Sequence, residues 1–276
     1  MIKIKLPKTA ANAVILILCA VFAALSGLTL LYHIDNKYTM KAVVPQEHVA
    51  VIPVHGAQFL VDGWEFYPGR LLMPADFSEG IPAPCYTVWS GEYPNLSLFH
   101  PDGSPYGTAT YRLHLQGNGM AALYLQEPLC AARIFVDGKD LGGPGEVDPK
   151  DYRPLIRDTV YSFPVDGGAE LIIQTANYSH YYGGLWFPPA IGSVDRVTHI
   201  AASRMIFYGV FCFSTLALSL FCMVLWFGRK EQRTSASFQF GQKEQRDPVA
   251  FWFGLLCLTF SLRVCYPFFR FGVSLS

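Results

Sequence analysis

Three stretches of the chain carry almost no charge: residues 13–32, 205–227 and 248–262. Each approaches or reaches the roughly 20 apolar residues that cross a hydrocarbon core about 30 Å thick. Between the first two, polar and apolar residues alternate in short runs bounded by Gly and Pro, the pattern of half-buried strands. The pattern predicts a cytoplasmic N-terminus (1–12), a transmembrane helix (13–32) and a β-sandwich (33–203). A second helix (204–227), a cytoplasmic loop (228–247), a third helix (248–270) and a short end (271–276) follow.

Within the central segment, Gly63-Trp64-Glu65-Phe66-Tyr67 and Thr108 to Leu115 keep a period of two. Asn118-Gly119 separates Thr108–Leu115 from Ala121–Leu125, and Asp137-Gly138 separates Arg133–Val136 from Lys139–Gly142. Both dipeptides tolerate positive φ and are read as hairpin turns. Ala169–Thr175 after Gly167-Gly168 reads as a further strand, and Val194–Ile200 as the last one. Gly69 to Gly107 is irregular and proline-rich, and such long loops are often functional. In the polar loop, Phe227-Gly228-Arg229-Lys230-Glu231-Gln232-Arg233 recurs with one change from Phe240 to Arg246, a duplication that a surface loop tolerates.

Charge then orients the chain. Net charge is zero, yet 18 of 21 acidic residues lie between 33 and 203, against 10 basic ones. Lys3, Lys5 and Lys8 precede the first apolar stretch; Arg229, Lys230, Arg233, Lys243 and Arg246 lie between the second and third. Short loops rich in Lys and Arg stay cytoplasmic. The expected localisation is the cell membrane, multi-pass, with the central domain extracytoplasmic. The first stretch is longer than the apolar core of a cleavable signal, and either fate leaves that domain outside. Of seven cysteines, Cys85 and Cys130 fall in the outer domain, where a disulfide between them stays open.

Gly63-Trp64-Glu65-Phe66, Leu71-Leu72-Met73-Pro74, Tyr111-Arg112-Leu113, the Phe135–Gly138 turn and the run Gln174–Trp186 together resemble jelly-roll domains related to the galactose-binding superfamily. Followed by membrane helices, they resemble bacterial seven-transmembrane receptors with diverse intracellular signalling modules. The resemblance covers roughly residues 50–276. It implies an all-β jelly-roll sandwich that binds an extracytoplasmic ligand, carbohydrate-like or an envelope fragment, and passes a conformational change to the helices. It implies partners in the bilayer, in a separate signalling protein or in a second copy. Family members carry seven helices and a histidine kinase or diguanylate cyclase module; two helices follow the outer domain here, so a truncated form is expected. A membrane-tethered binding or scaffold module, and a non-functional remnant, remain as alternatives.

Candidate ligand-binding residues are Asn177, His180, Tyr181, Trp186 and Trp89, which combine hydrogen-bonding groups with aromatic faces. The 177–186 run also reads, and reads better, as a structural corner, with Gly183-Gly184 making a tight turn and Trp186 plugging the core. Trp64 and Tyr111 read as core, and Tyr93 and Tyr106 as possible surface aromatics. Asp137, Asp140, Asp148 and Asp151 match no calcium loop. Arg263, in an apolar stretch, is the intramembrane polar candidate, costly there without a polar partner. No catalytic, cofactor or metal-site signature occurs, so no enzyme activity and no cofactor are expected, and the acidic domain argues against nucleic acid.

Overall fold

The structure, a computed structural model, describes residues 8–35, 49–61, 63–80, 86–88, 102–181, 183–228, 248–265 and 268. In chain order the elements are α1 (Lys8–Asp35), β1 (Val49–Val51), β2 (Ala57–Phe59), β3 (Trp64–Pro68), α2 (Pro74–Ser78) and β4 (Tyr86–Val88). They continue as β5 (Gly107–Leu125), β6 (Ala131–Val136), β7 (Lys139–Gly142), β8 (Thr159–Asn177), β9 (Ala190–Ser193), α3 (Val194–Gly228) and α4 (Pro248–Val264). Cys85, Trp89, Tyr93 and the second copy of the loop repeat lie outside the described residues.

A ribbon of two 19-residue strands organises the domain. β5 and β8 pair antiparallel throughout, from Gly107 opposite Asn177 to Leu125 opposite Thr159. On the first half of the ribbon, β3 and β4 extend the sheet beyond β5, and β6 and β7 extend it beyond β8. On the second half β9 and then β2 are added; β1 joins β5 in parallel at 114–116, just before the midpoint. Midway, Gly117 faces Gly167, and Gly119 and Gly167 have φ of 97° and 75°. Glycine takes that conformation without a Cβ clash, so both strands bend together and pass from one layer to the other. Trp64, Phe66, Tyr111 and Ile173 of the first half thereby meet Leu123, Leu125, Phe163 and Ile191 of the second in one core.

Asp137-Gly138 closes the β6–β7 hairpin that the sequence predicts, with φ of 47° and 76°. Asn118-Gly119 does not close one. It lies inside β5, and the Asn118 carboxamide oxygen accepts the Gly167 N–H at 2.8 Å. The apolar runs on its two sides pair with a strand far away in sequence instead of with each other. Ala169–Thr175 is accordingly part of β8, with Gly167-Gly168 as its bend.

The second correction falls on Val194–Ile200, expected as a strand and found as the first turns of α3. Asp195 sits in the first turn, where its charge complements the helix dipole. Val197 and Ile200-Ala201 recur at helical spacing and pack on Ala122, Tyr124 and Ala190 of the second layer. The β-rich domain therefore gives way to helix ten residues before position 204, with no linker.

By length and composition α3 can cross a membrane; Leu18–Leu30 within α1 and Pro248–Val264 are shorter apolar segments. α3 and α4 pack as a hairpin: the Ser219 hydroxyl donates to the Gly254 carbonyl at 2.7 Å, and the Ser261 hydroxyl to that of Cys212 at 3.0 Å. Gly254 permits this close approach; an added Cβ would lie 3.1 Å from the Cys222 Cβ, a tight contact.

Cys130 is a free, fully buried thiol that donates to the Gly184 carbonyl at 3.6 Å. Burial pushes its pKa up to about 12. The fold thus favours the neutral thiol, a contribution present below the ordinary thiol value and lost as pH rises towards 12. At pH 8 maleimide should leave Cys130 unmodified in the folded chain and label it in denaturant; rapid native labelling, read by peptide mass spectrometry, would contradict the burial. Gly192 in β9 is backed by Gly56, whose carbonyl oxygen would lie 2.1 Å from an added Cβ. Gly192→Ala should cost about 3 kcal/mol as overpacking against backbone, and Gly167→Ala, in open space but left-handed, about 1 kcal/mol. Thermal unfolding of the detergent-solubilised chain measures both.

Candidate functional site

The junction of the sandwich and α3 holds a cluster of charges that is largely removed from water. β9 runs antiparallel to β5, with Tyr124 opposite Ala190 and Ala121 opposite Ser193. The chain reverses at Ser193, and α3 returns along the second layer towards the end of the ribbon. Val197, Ile200 and Ala201 cover the sheet, and one turn later on the same face stands Arg204. It is the last charged residue before 23 uncharged ones, 205–227.

The Arg204 guanidinium meets two carboxylates at the strand ends. Nη2 donates to Glu127 Oε1 at 2.9 Å, just beyond β5. Nη1 lies 3.1 Å from each oxygen of Asp158, just before β8. The Tyr124 hydroxyl donates to Asp158 Oδ2 at 2.6 Å and the Glu127 backbone N–H to Asp158 Oδ1 at 2.8 Å. Phe187 and Tyr208 present ring faces 6.0 and 5.5 Å from the guanidinium carbon. The side chains of Arg204 and Asp158 are 14% and 8% exposed. Burial, then the Asp158 charge, push the Tyr124 phenol well above its ordinary range, so it stays a donor. A planar fork between two carboxylates fixes direction as well as distance.

A second polar assembly lies on the outer face of the first layer. Arg112 joins Glu65 at 3.0 Å and Glu170 at 2.7 Å, and the Tyr67 hydroxyl donates to Glu65 at 2.8 Å. Burial works against the Arg112 charge, but the hydrogen bonds to Glu170 and Glu65 outweigh it and raise its pKa. Phe77 of α2 covers the guanidinium at 4.5 Å. Thr110 donates to the Arg70 carbonyl and Gln174 to that of Leu72, so these side chains strap the α2 segment to the sheet. An open groove of roughly 540 Å³ lies alongside, over His114, Asp137, Gly167-Gly168 and Glu170.

The residues singled out from sequence are distributed differently. Asn177 is fully buried, its amide donating to the Pro105 and His180 carbonyls and its oxygen accepting the His180 N–H. Those bonds fold the 177–180 turn. Tyr181 is exposed, and the backbone N–H of Leu185 donates to the Tyr111 hydroxyl at 3.2 Å, so Leu185 enters the core while Trp186 stays half-buried. Trp186 adjoins Phe187 and the junction, at a distance along the chain from Asn177. Trp89 lies outside the described residues. Arg263 stands in the last turn of α4, two residues after Ser261. Asp140 pairs with Arg133, Asp137 accepts the Glu170 N–H and Asp148 the Lys150 N–H. Arg133 draws the Asp140 carboxyl below its usual range. Sequence reading passed over Tyr124, Glu127 and Asp158; the available signal was the helical spacing Val197, Ile200-Ala201, Arg204.

No protein-family model and no curated protein matches the chain. Among solved structures it is similar to a GH2 β-galacturonidase from Eisenbergiella tayi bound to galacturonate, at 15% identity and a TM-score of 0.35, over 49% of this chain and 24% of that one. A β-glucuronidase from Ruminococcus gnavus matches at 11% identity and TM-score 0.36, over 54% and 30%. A putative β-galactosidase from Bacteroides fragilis matches at 16% and 0.35, over 49% and 23%. The chain thus spans less than a third of the length of each of these proteins.

Proposed function

We propose that this chain is the sensory input portion of a bacterial transmembrane signalling receptor. Its β-rich domain sits outside the cytoplasm, binds a carbohydrate-like or envelope-derived ligand, and transmits binding through α3. The observation that carries the reading is the junction: one unbroken helix begins on the sandwich, is clamped there by Arg204 to Glu127 and Asp158, and continues into an apolar span. A flexible tether would suffice for a module that only has to be held at a surface. A rigid joint converts movement of the strand ends into movement of the helix. The segregation of basic residues to the flanks of the apolar stretches supports the orientation. A ligand shifts such a device only by binding its two arrangements unequally.

The test uses the full chain in nanodiscs, screened against muropeptides and a plant and bacterial oligosaccharide panel. A binder with Kd below about a millimolar is expected, and it should change amide exchange over residues 194–208. Absence of any binder, or binding that leaves that exchange unaltered, would count against the receptor reading. Asp158→Asn removes one counter-charge from a largely buried pair, which should lower stability by about 3 kcal/mol. At a temperature where the variant stays folded, ligand affinity should persist while the exchange response of α3 is lost; an intact response would refute the clamp as the transmitting element.

A further inference from the structure

We propose that the end of the sandwich around the junction is itself a lipid-binding surface, which seats the domain on phospholipid headgroups; this rests on α3 spanning the membrane. The register fixes which end that is. α3 starts level with Ala121 and reaches Glu127 and Asp158 at Arg204, about 15 Å further along at 1.5 Å per residue. The uncharged stretch begins at the next residue. The loops that end β5 and begin β8 therefore lie at the boundary where the helix leaves water.

Those loops carry apolar side chains turned outward. Leu155 and Val160, on either side of Asp158, are each 41% exposed, and Ile156 and Trp186 are half-buried. Aromatic rings with a polar edge concentrate at such boundaries, and Trp186 and Tyr208 have that character. Arg157, between Leu155 and Val160 and next to Asp158, is half-buried and brings its guanidinium to the same end of the paired ribbon. A lipid supplies acyl carbon to Leu155 and Val160 and an anionic phosphate to the Arg157 charge. The surface thus continues the apolar belt of α3, and the charge of Arg157 complements the headgroup.

The experiment places p-benzoylphenylalanine at position 155, 218 or 120 of the full chain in nanodiscs of phosphatidylglycerol and phosphatidylethanolamine. Irradiation and mass spectrometry then detect phospholipid adducts. Adducts are expected at 155 and at 218, within α3, and none at 120, which is exposed at the far end of the second layer. An adduct at 218 without one at 155 overturns the lipid surface and leaves the membrane span standing. No adduct at 218 removes the span and the proposal with it. Arg157→Gln should reduce the phosphatidylglycerol adduct at 155 about fivefold, as loss of one basic residue near an anionic surface implies; an unchanged yield would overturn the role of the headgroup.

Discussion

A guanidinium that leaves water must find its counter-charges in the protein, and Arg204 finds them just past the ends of two strands, 46 and 77 residues earlier in sequence. That requirement ties the domain together. Glu127 and Asp158 are adjacent because β5 and β8 are paired to their last residues, and the pairing continues through a bend that needs glycine on both strands. β9 must then lie beside β5, close enough to Gly56 to exclude a Cβ at position 192, for the helix to start on the correct side of the sheet. Only in that arrangement does the Arg204 face of α3 meet the strand ends.

The same ribbon connects the junction to the other polar assembly. Arg112 and Glu170 belong to the first half of the ribbon, and Tyr124 and Thr159 to the second. A displacement of α2 over Arg112, or of the groove beside Glu170, acts on strands that end at the clamp. Dense packing makes such strands shift as units. The two halves share one apolar core, so the two layers are packed as one unit.

Local signals in the sequence were legible where local chemistry decides the outcome. Asp137-Gly138 makes its hairpin because both residues accept positive φ and the flanking strands are short. The same reasoning fails at Asn118-Gly119, where the partner strand lies 49 residues away and Asn118 binds Gly167 across the ribbon. Trp64 and Tyr111 are core, as their alternation implies. Val194–Ile200 carries β-branched residues that suit a strand, yet its apolar positions also recur at the helical spacing that Arg204 completes. Asn177 drew attention as a polar group near aromatics, and its amide is committed to three backbone partners. Of the charge cluster at the junction the sequence carries only the helical spacing that ends in Arg204; its partners Glu127 and Asp158 come from separated segments that the chain brings together only on folding.

Why the junction should be ionic is a question of specificity. A buried salt bridge adds little over a well-packed apolar contact of the same volume, because desolvation of the charges offsets their attraction. Val197, Ile200 and Ala201 already supply the adhesive contact between helix and sheet. An apolar contact alone leaves the helix free to turn or slide by small amounts at little cost. The guanidinium fork does not: turning α3 by one residue, about 100°, carries Arg204 away from both carboxylates and strands all three charges in a poorly solvated site. The clamp therefore selects a single rotation of α3 against the sandwich.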